Sequence, residues 1–179
     1  MPKILYIERA LFVVGDQNTG KSVQLRSMFL DWRFGTEGVI PTSSRIKESI
    51  YLSQHRGLHI RLTSPHEYGD TPNIFFNKII SKTQEGRWCF AGTLQPEAAN
   101  KMPDVTSSIE LFVNKFSPEK VRVCFLSPDQ YGNLINNKMN DFNTIVDSLI
   151  NINSVEVMFI DARSRDANGL LLSDFFDFA

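Results

Sequence analysis

The chain has 179 residues, enough for one hydrophobic core, and its 42% apolar and 22% charged content excludes disordered and collagen-like classes. A formal net charge of −1, with 19 basic residues scattered among 20 acidic ones, argues against nucleic acid or an acidic membrane surface as the main partner. No apolar run reaches spanning length, and neither a signal-peptide core nor a prenylation cysteine is present, so a cytoplasmic protein without a direct membrane anchor is expected.

In chain order, "RALFVV" (9–14) reads as a buried strand that runs into the loop "GDQNTGKS" (15–22). "KSVQLRSMFLDW" follows with Leu25, Met28, Phe29 and Trp32 at helical spacing. After the polar loop 33–44, "RIKESIYL" and "LHIRLT" form a hairpin around "SQHRG". A helix is expected over 71–83, with Thr71 as N-cap and Pro72 in its first turn. "RWCFAG" (87–92) is a strand. Asp104 caps a helix whose Val105, Ile109, Phe112 and Phe116 share one face. "KVRVCFL" (120–126) is a strand. Residues 133–150 read as a helix with Leu134, Met139, Phe142, Val146 and Leu149 inward, 155–160 as the last strand and 168–178 as the last helix.

Strands alternating with helices imply an α/β domain with a six-stranded, mostly parallel sheet, one antiparallel edge strand and helices on both faces. No repeat, linker or break in composition divides the chain, so residues 1–179 are expected as a single domain. Trp32 and Trp88 read as core. Cys89 and Cys124, each inside an apolar run, read as buried reduced thiols.

The loop at 15–22 carries the chemistry. Gly15, Gly20, Lys21 and Ser22 fit G-x-x-x-x-G-K-[ST], in which backbone N–H groups wrap a β-phosphate and the next helix points its positive end at it. Gly15, Asp16, Gln17, Asn18, Thr19, Gly20, Lys21, Ser22 and Val23 are therefore the candidate nucleotide contacts. Lys21 bridges the β- and γ-phosphates in this reading, and the Ser22 hydroxyl ligates Mg²⁺. The alternative is a chance match in a βα turn.

Motif and element order together resemble the small GTPases of the Ras-like superfamily, from about residue 9 to residue 178. The resemblance implies a P-loop G domain that binds GTP or GDP with Mg²⁺ and acts as a switch toward a protein effector or regulator. It implies that Thr42, in "VIPTSS", closes onto Mg²⁺ and the γ-phosphate, and that Ala162 offers its N–H to the guanine oxygen. Arg163 then replaces the family's lysine. Two family patterns are broken. "RLTSPHEYG" stands where D-x-x-G belongs, and of N-K-x-D only Asp129 survives, in "LSPD". Slow or absent GTP hydrolysis is the consequence.

Three residues keep two readings, and a fourth, Gln17, departs from the family pattern. Asp129 either reads the guanine edge or is an ordinary turn carboxylate. Asn18 stands where potassium-dependent members of the superfamily hold K⁺, and is equally a good loop residue. His66 lies near the family's water-orienting position, and is otherwise a polar loop residue. Gln17 replaces a glycine and would obstruct an incoming arginine. Lys21, Thr42 and His66 are thus the catalytic candidates, and Ser22 and Thr42 the metal ligands. Two other classes stay open. One is a pseudo-GTPase scaffold. The other is a P-loop kinase or ATPase that would use Arg163 and Arg165.

Overall fold

The fold was analysed in a computed structural model that describes residues 5–46, 49–137 and 139–178. Among the described residues six strands are present: β1 (Leu5–Val14), β2 (Ile50–Ser53), β3 (Arg56–Ile60), β4 (Gly86–Leu94), β5 (Lys120–Leu126) and β6 (Val155–Ile160). They form one sheet in the order β2-β3-β4-β1-β5-β6. All neighbouring pairs are parallel except the β2–β3 hairpin.

β1 shows why the sheet is covered on both faces. It is apolar at every position from Ala10 to Val14, as a central parallel strand must be. Ala10, Phe12 and Val14 point to one layer, and Leu11 and Val13 to the other. The first layer holds α3 (Pro72–Lys82), α4 (Val105–Phe116) and α5 (Phe142–Ile150). Aromatic rings fill it, with Phe112 edge-on to Phe12 at 5.0 Å. The second layer holds α1 (Lys21–Ser27) and α6 (Arg165–Ser173). These two helices meet closely at Gly169, where a Cβ would stand 2.1 Å from the Ser27 carbonyl oxygen. The single turn α2 (Pro65–Tyr68) follows β3.

The caps at Thr71 and Asp104 form as expected, accepting from the N–H groups of Ile74 and Ser107. Both cysteines are buried and unpaired, and burial pushes both thiols up to about 12. Among the described residues no helix is long and apolar enough to cross a membrane.

Three helices depart from the expectation. The α-helix after the loop ends at Ser27 and passes into two tight 3₁₀ turns, 28–30 and 32–34. The Asp31 carboxylate accepts from the Arg33 N–H and restarts the chain there, which turns Trp32 outward at 73% exposure. Trp32 is therefore not core, whereas Trp88 is buried. The helix expected over 133–150 begins only at Phe142 and leaves Leu134 exposed. The last helix runs 165–173 rather than 168–178. Part of the first hairpin strand, residues 47 and 48, lies outside the described residues.

Candidate nucleotide site

The sheet order decides where a ligand can sit. β1 and β4 are neighbours, yet β1 leads into α1 on one face and β4 leads into α4 on the other. Beyond their carboxyl ends the two chains therefore turn to opposite faces, the place where an open α/β sheet usually takes a ligand. Loop 15–20 and loop 95–104 start from this point, where the Gly15 N–H donates to the carbonyl of Leu94, the last residue of β4, at 3.3 Å.

The phosphate loop itself is tightly turned. Asn18 and Gly20 have positive φ, 62° and 103°. A Cβ at Gly15 would stand 2.6 Å from the Thr19 hydroxyl, so this glycine is required by packing. The buried Thr19 hydroxyl and the Lys21 ammonium both donate to the Asp16 carbonyl, at 2.8 and 2.6 Å. Lys21 is only 5% exposed and pairs with the Glu67 carboxylate of α2 at 3.4 Å. Burial lowers its pKa, with Glu67 opposing that shift. Ser22 donates to the Leu62 carbonyl at 2.8 Å, an acceptor shared with Thr93 at the end of β4. Gln17 and Asn18 are exposed at the tip, and Val23 is 38% exposed.

Four residues at this site escaped the sequence reading. Glu67 is the counterion of Lys21. Gln130 pins the loop from the β5 side, its side chain donating to the Asn18 carbonyl and its N–H to the Thr19 carbonyl. Thr93 and Gln95 come from β4 and the chain just after it. No local motif marks any of them: Glu67 and Gln130 reach the loop, and Thr93 and Gln95 reach Leu62 and His66 beside it, only through the sheet order.

The other candidates are placed differently. His66 is fully buried, and its ring holds loop 95–104 onto α2. Nε2 donates to the Pro103 carbonyl at 2.8 Å, while Nδ1 faces the Ser64 hydroxyl and the Gln95 N–H. Both ring nitrogens are thereby engaged, and burial lowers the pKa. Thr42 is exposed and makes no hydrogen bond to Ser22; its neighbour Ser43 leans on α1 through Arg26 at 2.9 Å. Asp129 is buried and accepts from the N–H groups of Tyr131 and Asn133 at 2.9 and 3.0 Å, the pattern of a turn carboxylate. The Ala162 N–H donates to the Pro128 carbonyl at 2.9 Å. Arg163 is exposed and pairs with Asp161. Arg165 is exposed and pairs with Asp166.

A buried amide pair anchors α1 beneath the loop. Gln24 donates to the Ala162 carbonyl at 2.9 Å and accepts from Asn168 at 3.0 Å, so α1 is fixed to the start of α6. Comparisons with known protein families, with curated proteins and with solved structures found no match.

Proposed function

We propose that the chain binds a nucleoside di- or triphosphate through loop 15–22 and works as a regulatory protein with slow or absent hydrolysis. The observation that carries this reading is the motif at the carboxyl end of β1, where β1 and β4 lead to opposite faces, with the buried Lys21 ammonium held against the loop. Phosphate oxygens would replace the Asp16 carbonyl and the Glu67 carboxylate as partners of Lys21. Mg²⁺ would be held by the Ser22 hydroxyl together with the nucleotide's own oxygens, and would supply charge neutralisation there. Slow turnover follows because His66 and Thr42 are not disposed to position a water.

Guanine selectivity and a Ras-like switch rest on the sequence resemblance. Asp129 and the Ala162 N–H, which would read guanine, are both engaged within the fold. β4 lies between β1 and β3 in the sheet, and the segment 62–67, where the second switch was expected, meets the loop through the Leu62 carbonyl and the Glu67 carboxylate rather than through the family's aspartate and glycine. The reading is accordingly set at the nucleotide class, with GTP and GDP as the first ligands to try and K⁺ as a further ion through Asn18.

One observation favours a second reading, a protein-interaction scaffold. Lys21, Ser22, Thr19 and the Asn18 carbonyl all have protein partners. Calorimetric titration with GDP, GTP, ADP and ATP, with Mg²⁺ in K⁺ or Na⁺, separates the readings. The nucleotide reading expects at least one nucleotide to bind, and Lys21→Ala to weaken it by about 100-fold or more. Binding indifferent to Lys21 would remove the loop from the site, and no binding would leave the scaffold.

A further inference from the structure

The two edges of the sheet are built differently. β2, at one edge, breaks register against β3 between Tyr51 and Ser53, an irregularity that disfavours further pairing. β6, at the other edge, pairs with β5 without a shift, from Val121 opposite Val155 to Leu126 opposite Ile160. It has no proline, lysine or arginine, residues that commonly protect an edge. Residues 139–178 are described without a break, so α5, β6 and α6 are continuous.

The backbone of β6 shows which groups face outward. The Ser154 and Ile160 carbonyls accept from the N–H groups of Val121 and Ser127, on the β5 side. Strand alternation then turns the N–H and carbonyl groups of Val155, Val157 and Phe159 away from β5. The Val155 N–H donates to the Ile152 carbonyl at 3.2 Å. The N–H groups of Val157 and Phe159, and the carbonyls of all three residues, have no partner among the described residues. The same three side chains share the face toward α5, where the Phe159 ring lies 5.7 Å from Phe142 yet stays 49% exposed. Glu156, the one charged residue of β6, is on the opposite face and pairs with Arg122 at 2.7 Å. Arg122 is itself seated 4.6 Å over the Phe175 ring.

We propose that β6 pairs antiparallel with β6 of a second copy about a two-fold axis, joining two sheets into one. A second copy fits because antiparallel pairing of a strand with itself is self-complementary, and the outward groups allow the axis to pass beside Val157. The two Val157 residues then exchange hydrogen bonds, and each Phe159 N–H reaches the Val155 carbonyl of the other copy. Phe159 lies opposite Val155, an aromatic and β-branched pair formed on both sides of the axis. Glu156 lies opposite Met158, so no carboxylate directly faces another, and each keeps its own Arg122. This surface goes beyond the nucleotide reading, and β5 separates it from β1 and the loop.

Sedimentation velocity of the whole chain over a range of concentrations, without nucleotide, reads the association. A monomer–dimer equilibrium in the micromolar range is expected. Val157→Pro removes an outward donor and no bond to β5, as an edge strand tolerates, and should abolish the dimer. Met158→Glu sets a carboxylate opposite Glu156 of the second copy, whereas Met158→Lys sets an ammonium there. The lysine variant should associate about tenfold or more tightly than the glutamate variant. Circular dichroism checks that each variant is folded, and the Met158 comparison decides the matter if Val157→Pro does not fold. A chain that stays monomeric at every concentration would overturn the proposal and leave the edge to a strand of another protein. So would a dimer that folded Val157→Pro retains, or equal affinities of the two Met158 variants. Species larger than a dimer would also overturn it, since they require head-to-tail pairing. None of these outcomes depends on whether loop 15–22 binds nucleotide.

Discussion

Buried charge is handled in opposite ways at the two ends of the sheet. At the amino ends, Glu8 occupies a bulge where the register of β1 on β4 slips between Ile7 and Arg9. Its carboxylate accepts from Arg56 at 2.8 and 3.0 Å and pairs with Arg87 at 2.9 Å. Arg56 and Arg9 then hold the C-terminal tail through the carbonyls of Asp177 and Phe175. At the carboxyl ends, Lys21 has one carboxylate at 3.4 Å and a carbonyl. A multiply bonded ion cluster cannot be opened cheaply, whereas a lone cation with a loose partner can exchange it for a ligand. The first end is built for permanence and the second for exchange.

Substitutions should separate these roles. The largest effect on folding is expected from Glu8→Ala, which leaves buried Arg56 without its carboxylate and should cost about 3 to 5 kcal/mol in urea unfolding. A loss under 1 kcal/mol would end the contrast. At the other end, Glu67→Gln frees Lys21 from its competitor. Phosphate binding should tighten about three- to fivefold with little change in stability, and weaker binding would show that Glu67 supports the loop instead. The third effect concerns pH. The folded-state pKa of His59 is depressed from 6.5 to about 4, so the unfolded chain binds the extra proton in that window. Stability should therefore fall as pH drops from about 6.5 to about 4 and level off below. His59→Phe should flatten this slope in unfolding midpoints measured at pH 7, 5.5 and 4.

Most elements were legible in the sequence because each carries its own local signal. β1 is apolar from Ala10 to Val14, Thr71 and Asp104 stand at caps, and α4 repeats its apolar face at helical spacing. Errors arose where a tertiary contact overrides a local pattern. "NGLLL" reads as a helix start, yet Gly169 lies inside α6 because only a glycine fits against Ser27. Trp32 continues the spacing of α1, but Asp31 ends that register. The phosphate loop was likewise legible as a contiguous motif. Its partners Glu67 and Gln130 were not, nor were Thr93 and Gln95 beside it, since the order of β4, β1 and β5 in the sheet leaves no trace in the order of elements along the chain.

Amide hydrogen exchange with and without GDP or ADP and Mg²⁺ tests the central claim most directly, because it reads the loop and its counterion together. Exchange should slow at residues 15–23 when a nucleotide binds, and quicken at 65–68 as Glu67 is released from Lys21. Nucleotide at saturating concentration that leaves both segments unchanged would contradict the account.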